Sequence, residues 1–246
     1  MTEGARRIIV ALDTSDPDEA LTWSRALAGE VGAFKVGLEL IHAAGPPILE
    51  RIRDESGARI FYDGKFNDIP HTVRAAARQA ARRGVWLFNV HALSGSQAMR
   101  AALAGAQEGA PGERPLVAAV TLLTSLSEAD LEQELGIRGG VEANVVRLAR
   151  LAQDAGLDGA IASPREAAAI RRACEPGFLI ITPGVRLAGS EVHDQVRVAT
   201  PGEAVRAGAD YVVVGRTITA ATDPVAAARA VAADIDAALV AEEHRA

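Results

Sequence analysis

Residues 63–70 read Asp-Gly-Lys-Phe-Asn-Asp-Ile-Pro and follow an apolar run, Arg59–Tyr62. In a strand, residues two apart point the same way, so Asp63 and Lys65 share a face and can pair. Asp68 falls on the entry to the next helix. Paired charges of this kind can be catalytic or merely structural. Taken alone, the string is also explained by a surface ion pair and an acid at a helix N-terminus. Its position directly behind an apolar strand, with a second cation at Lys35, favours catalysis.

A second set of residues suits an anion. Val212-Val213-Val214-Gly215-Arg216-Thr217 is an apolar run followed by glycine and arginine, and Thr182-Pro183-Gly184-Val185-Arg186 repeats the idea upstream. Glycine lets backbone N–H groups approach a phosphate, and arginine grips its oxygens in pairs. Each motif alone also fits a tight turn beside a solvated arginine. Two at successive strand ends match the phosphate site of an α/β barrel.

Eight short apolar runs must position these residues: Ile8–Leu12, Phe34–Leu38, Arg59–Tyr62, Val85–Val90, Leu116–Leu123, Leu157–Ala162, Phe178–Thr182 and Tyr211–Val214. They are nearly continuous in apolar residues, as strands covered on both faces are. Helices are predicted between them, one opening at Asp16-Pro17 and others over Ile41–Arg53, Thr72–Arg83, Ser96–Glu108, Glu142–Ala155, Pro164–Ala173, Pro201–Ala207 and Pro224–Leu239. Gly84, Gly156 and Gly208 stand where helix C-caps belong. The pattern predicts the α/β class, a (β/α)8 TIM barrel forming a single domain over residues 1–246. An open doubly wound sheet is the alternative, but no glycine fingerprint follows the first run. Polar residues collect where the runs stop: Asp13, Lys35, Asp63, Lys65, Asn89, His91, Thr121, Thr124, Ser163, Arg186 and Arg216. In a barrel those ends converge on one face.

The chain has 246 residues, 49% of them hydrophobic, with a net charge of −6. That balance argues against a nucleic-acid or anionic-membrane partner. The single cysteine, Cys174, excludes a disulfide framework within the chain and suits a reducing cytoplasm. No signal peptide or membrane span is read at the N-terminus. His91 reads as a hydrogen-bonded core histidine, His42, His193 and His244 show no metal-ligand spacing, and Trp23 and Trp86 read as packing at helix and strand surfaces.

The string Asp63-x-Lys65-x-x-Asp68-Ile69-Pro70-x-Thr72 resembles the signature of the orotidine 5'-phosphate decarboxylase family. The likeness continues through Ile9–Asp13, Phe34–Gly37, Asn89–Ala92, Val120–Ser125, Thr182–Arg186, Asp194–Arg197 and Val214–Arg216, and is closer to the bacterial branch than to the shorter archaeal proteins. The resemblance implies a cofactor-free, metal-free decarboxylase of orotidine 5'-phosphate that works as a cytoplasmic homodimer. It implies that Asp13 and Lys35 contact the ribose, and that Asp63 and Lys65 lie beside the scissile carboxylate, with Lys65 donating the proton. It further implies that Asp68 and Thr72 reach the neighbouring subunit's site and that Thr124 contacts the pyrimidine. Arg186, Gln195, Gly215 and Arg216 would close over phosphate and base, with Leu187–Gln195 as a closing loop. Two positions depart from the pattern: Gly64, where a larger apolar residue is expected, and His71, where asparagine or threonine is common. A magnesium-dependent keto-gulonate-phosphate decarboxylase or hexulose-phosphate synthase shares the Asp-x-Lys-x-x-Asp string, with Glu39 as the acid to check. A non-catalytic nucleotide-binding regulator is the alternative of another class; the intact Lys35, Asp63, Lys65 and Asp68 set argues against it.

Overall fold

Alternate residues of the apolar runs face two different cores, and this is why the runs read as continuously apolar. The computed structural model describes residues 1–187 and 199–243. In it β1 (Ile8–Ala11), β2 (Ala33–Val36), β3 (Arg59–Phe66), β4 (Leu87–His91), β5 (Leu116–Val120), β6 (Gly159–Ile161), β7 (Leu179–Pro183) and β8 (Tyr211–Val214) pair in parallel. β8 returns to β1 and closes the barrel. Ile8, Val10, Phe34, Ile60, Phe88, Val117, Ile180 and Val212 pack outward beneath the helices. Ile9, Ala11, Ala33, Phe61, Leu87, Ala118, Ile181 and Val213 fill the lumen. Trp86 belongs to this inner packing, below the Arg59 guanidinium and edge-on to Tyr211, rather than to a strand surface.

The inner series also explains where the polar residues point. Two positions beyond Ala33, Phe61 and Leu87 come Lys35, Asp63 and Asn89, so the same inward face changes from apolar to polar towards the strand C-termini.

The helices are α1 (Glu3–Arg6), α2 (Pro17–Ala26), α3 (Leu38–Ala44), α4 (Ile48–Ser56), α5 (Pro70–Arg82), α6 (Gly95–Gly109), α7 (Val141–Asp154), α8 (Pro164–Ala173), α9 (Pro201–Arg206), α10 (Arg216–Thr219) and α11 (Pro224–Glu243). Asp16 caps α2 through the amides of Asp18 and Glu19, and Thr200 and Glu203 form a capping box on α9. Gly84, Gly156 and Gly208 adopt positive φ after their helices, as their positions predict. The predicted helix Ile41–Arg53 is two helices, broken at Gly45-Pro46-Pro47, where proline cannot continue the turn. The second strand ends at Val36, because Gly37 caps α3 and Leu38 opens it. The third runs past Tyr62 to Phe66. α6 lies close against α5: a Cβ on Gly105 or Gly109 would come within 2.2 Å of the Arg74 or Arg78 carbonyl oxygen. Among the described residues, no helix is long and apolar enough to cross a membrane.

At the other end of the barrel a device recurs that the sequence reading missed. Gly156-Leu157-Asp158 leads into β6 and Gly208-Ala209-Asp210 into β8. Asp158 accepts from the Val117 amide at 2.7 Å and pairs with Arg114. Asp210 accepts from the Ile180 amide at 2.7 Å and pairs with Arg171, which also donates to the Pro176, Phe178 and Gly208 carbonyls. Each aspartate thus ties one strand to the one before it. Asp158→Ala or Asp210→Ala strands a backbone donor and an arginine, and each is expected to cost about 2 kcal/mol, read as a lower urea midpoint at unchanged slope.

Candidate active site

Four charges of alternating sign lie across the C-terminal mouth of the barrel. Lys35 from β2 sends its Nζ 2.8 Å from Asp13 Oδ1 and 3.3 Å from Asp63 Oδ2. Lys65 Nζ lies 2.8 Å from the other Asp63 oxygen, Oδ1. Lys35 and Asp63 side chains are each 11% exposed, whereas Lys65 is 32% exposed and open to an incoming molecule. Burial on its own would lower the lysine's pKa, but Asp63 and Asp13 outweigh it and hold the Lys35 ammonium above its ordinary range. Burial likewise opposes ionisation of Asp63, yet Lys35, Lys65 and the Asn89 amide hold its carboxyl below the usual aspartate range. His91 is kept below its ordinary value, first by burial and then by the Lys65 charge.

Lys65 and Asp63 pair, but not through plain strand alternation. Lys65 has φ +46°, the one positive value at a non-glycine among the described residues. The β3–β4 register shifts between Tyr62 and Phe66. Asn89, a fully buried residue of β4, spans the irregularity: its Nδ2 donates to Asp63 Oδ1 and its Oδ1 accepts from the Lys65 amide, both at 2.7 Å. The sequence showed Asn89 at a strand end; an inward position two residues after the lumen residue Leu87 is the signal that marks it.

Two glycines are explained by what surrounds them. A Cβ on Gly37 would come 3.0 Å from Lys35 Nζ and 3.5 Å from Asp13 Oδ1, so its bareness leaves room for that pair. A Cβ on Gly64 would come 2.8 Å from the Phe66 ring and 2.9 Å from the Tyr62 ring. Those rings meet edge to face at 5.5 Å and occupy the space of the larger residue expected there.

A cavity of about 570 Å³ adjoins the charges, walled by Asp13, Lys35, Gly184, Arg186, Gly215 and Arg216. Because β8 neighbours β1, the cavity and the charges form one arc from β7 to β3. Arg216 opens α10, which Gly215 caps. Glu39 reaches the cavity rim with its carboxylate accepting from Ser15 Oγ. Thr124 is half-buried in the turn after β5 and is not part of the cavity wall. Asp68 and Thr72 are exposed at the start of α5. Among the described residues, Asp68 accepts from the Ile69 amide and forms no ion pair, and Lys65 pairs with Asp63 alone. Gln195 and the rest of residues 188–198 of the expected closing loop lie outside the described residues.

The sequence matches the profile of the orotidine 5'-phosphate decarboxylase / HUMPS family over residues 6–231. The orotidine 5'-phosphate decarboxylase of Moorella thermoacetica is 52% identical over 94% of this chain and 92% of its own. That of Syntrophotalea carbinolica is 50% identical over 97% of this chain and 98% of its own. Among solved structures, orotidine 5'-phosphate decarboxylase from Lactobacillus acidophilus superposes with a TM-score of 0.82 at 35% identity, over 93% of this chain and 98% of that one. The Pyrococcus horikoshii enzyme gives 0.75 at 27% identity, over 93% and 99%. The barrel, the charged mouth and this likeness along nearly the whole sequence agree: the chain belongs to the orotidine 5'-phosphate decarboxylase / HUMPS family.

Proposed function

We propose that this chain decarboxylates orotidine 5'-phosphate to uridine 5'-phosphate and carbon dioxide, the last step of de novo pyrimidine synthesis. The observation that carries the reading is Asp63 held between the ammonium groups of Lys35 and Lys65, beside a cavity walled by two arginines. The phosphate sits towards Arg186, Gly215 and Arg216, with Gln195 as a further partner to phosphate and base. The ribose meets Asp13 and Lys35, the pyrimidine edge meets Thr124, and C6 with its carboxylate lies over Lys65.

Breaking the C6–carboxylate bond releases carbon dioxide and leaves the electron pair on C6. The Lys65 ammonium opposes that charge through space, then gives C6 its proton and recovers one from water. Enzymes lower barriers by about 8–23 kcal/mol, and one placed donor supplies only about 3–4 kcal/mol. The remainder comes from water exclusion and from phosphate binding energy realised in the transition state.

A cytoplasmic homodimer fits the same reading. Leu38, Ile69, Leu93 and Leu123, on the segments following β2, β3, β4 and β5, are large apolar residues left exposed in the single chain. A second copy covering them would bring Asp68 and Thr72, exposed here, to its neighbour's site.

Lys65→Ala is expected to lower turnover by about a thousandfold or more, while uridine 5'-phosphate still binds; wild-type-like turnover contradicts the mechanism. Arg216→Ala removes a charged donor pair and is expected to raise KM for orotidine 5'-phosphate by about 10- to 100-fold. Phosphate-free orotidine is affected far less, and equal losses remove Arg216 from the phosphate site. The ion pair also sets a pH window. The folded-state pKa of Asp63 lies below its ordinary 3.8, so its stabilisation is present above that value and is lost as pH falls through the lower folded one. The folded-state pKa of Lys35 lies above its ordinary 10.5, so its stabilisation is present below that value and is lost as pH rises through the higher folded one. The stability gap between wild type and Asp63→Asn in urea titrations should therefore narrow below about pH 4 and above about pH 10.5; a constant gap contradicts the assignment.

A further inference from the structure

Resting on the decarboxylase reading above, we propose that Asn89 is a positioning residue for the reaction. Its amide fixes both the Asp63 carboxylate and the backbone at Lys65, and so decides where the Lys65 ammonium meets the substrate. The argument starts from the strand register. Tyr62 pairs with Phe88 and Phe66 with Val90, so four steps along β3 face two steps along β4. In that gap the Lys65 amide does not follow the regular ladder. The Asn89 side chain reaches across and accepts from it at 2.7 Å.

The bond holds a conformation the chain resists. Lys65 sits at φ +46°, a left-handed setting disfavoured for a residue with a Cβ. Nothing about lysine selects that setting, so a partner must hold it. The other end of the same amide donates to Asp63 Oδ1, the oxygen that also takes Lys65 Nζ, and leaves Oδ2 to Lys35. The amide orientation follows from the partners: a carboxylate needs the NH₂ end and a backbone N–H needs the carbonyl end. Asn89 is fully buried, so water does not stand in for either bond. Rotating the carboxylate or relaxing the Lys65 backbone would move the ammonium by a fraction of an ångström to an ångström or so, enough to matter for proton transfer.

Asn89→Leu removes both bonds, and Asn89→Asp keeps an acceptor for Lys65 but sets a second carboxylate against Asp63. In steady-state decarboxylation per folded molecule, both variants should lose about a hundredfold in kcat. KM for orotidine 5'-phosphate should stay within about threefold, because binding through the β7 and β8 cavity is untouched. A merely structural asparagine would change the folded fraction without this split. The acid limb of kcat in Asn89→Leu should also move to higher pH, since Asp63 loses a donor. The charged and titratable groups around it, Lys35 on β2, Lys65 on β3, His91 on β4 and Asp13 after β1, remain in place. Folded variants with wild-type kcat, or with parallel changes in kcat and KM and an unmoved acid limb, overturn the inference. A wild-type chain that fails to decarboxylate overturns the proposed function, and this inference with it. Should neither variant fold, amide exchange in the wild-type protein decides: slow exchange at the Lys65 N–H and the Asn89 NH₂ supports the contact, and exchange at the unprotected rate overturns it.

Discussion

A largely buried carboxylate shared between two ammonium groups at the barrel mouth is the constraint on which the rest of the site depends. An isolated buried charge costs several kcal/mol, and removing one partner of a buried pair is worse than never having had it. Lys35 and Asp63 are both almost buried, so neither stands alone. Asp13 neutralises Lys35 from the rim and Lys65 neutralises Asp63 from the open side. The alternation makes the cluster tolerable to the fold while leaving one cation, Lys65, partly exposed. In the proposed reaction, that exposure is what opens the ion pair to the substrate.

The barrel supplies the geometry that such a cluster needs. Parallel strands with alternating inward residues deliver Lys35, Asp63 and Asn89 from three successive strands to one mouth, above a lumen filled by Phe61, Leu87 and their neighbours. Precise placement on strands is more dependable than placement on loops. Where plain alternation does not suffice, at Lys65, the strand departs from regularity and a side chain from the next strand closes the gap.

Much of this was legible in the residues. The eight runs stood out because strands covered on both faces lose their polar alternation, and the glycines after the helices marked where each turn back began. Asp63, Lys65 and Lys35 were visible as charges at the ends of apolar runs. The break at Pro46-Pro47 was overlooked because the apolar spacing on either side continues a helical period, although two prolines cannot sit inside one helix. Asn89 was legible as a polar residue at a strand end, but its two bonds were not, because they depend on a register shift between β3 and β4. Gly64 read as a departure because the two rings that fill its space stand on either side of it, at Tyr62 and Phe66, and only the folded strand brings them over the gap.

The arrangement separates holding a substrate from transforming it. The arginines and glycines of β7 and β8 and the charges of β2 and β3 lie at opposite ends of one arc, with β1 between. A ligand gripped at one end reaches the other only if its length and shape span that arc. In the proposed reaction, binding energy gathered far from the reacting carbon holds that carbon against Lys65, where a small flexible anion would not stay. The charged cluster by itself is generic, as buried ion pairs occur in many folds without chemistry. What makes it selective in the proposed reaction is the distance at which the closed barrel holds it from the phosphate end, a distance set by strand register rather than by any single residue.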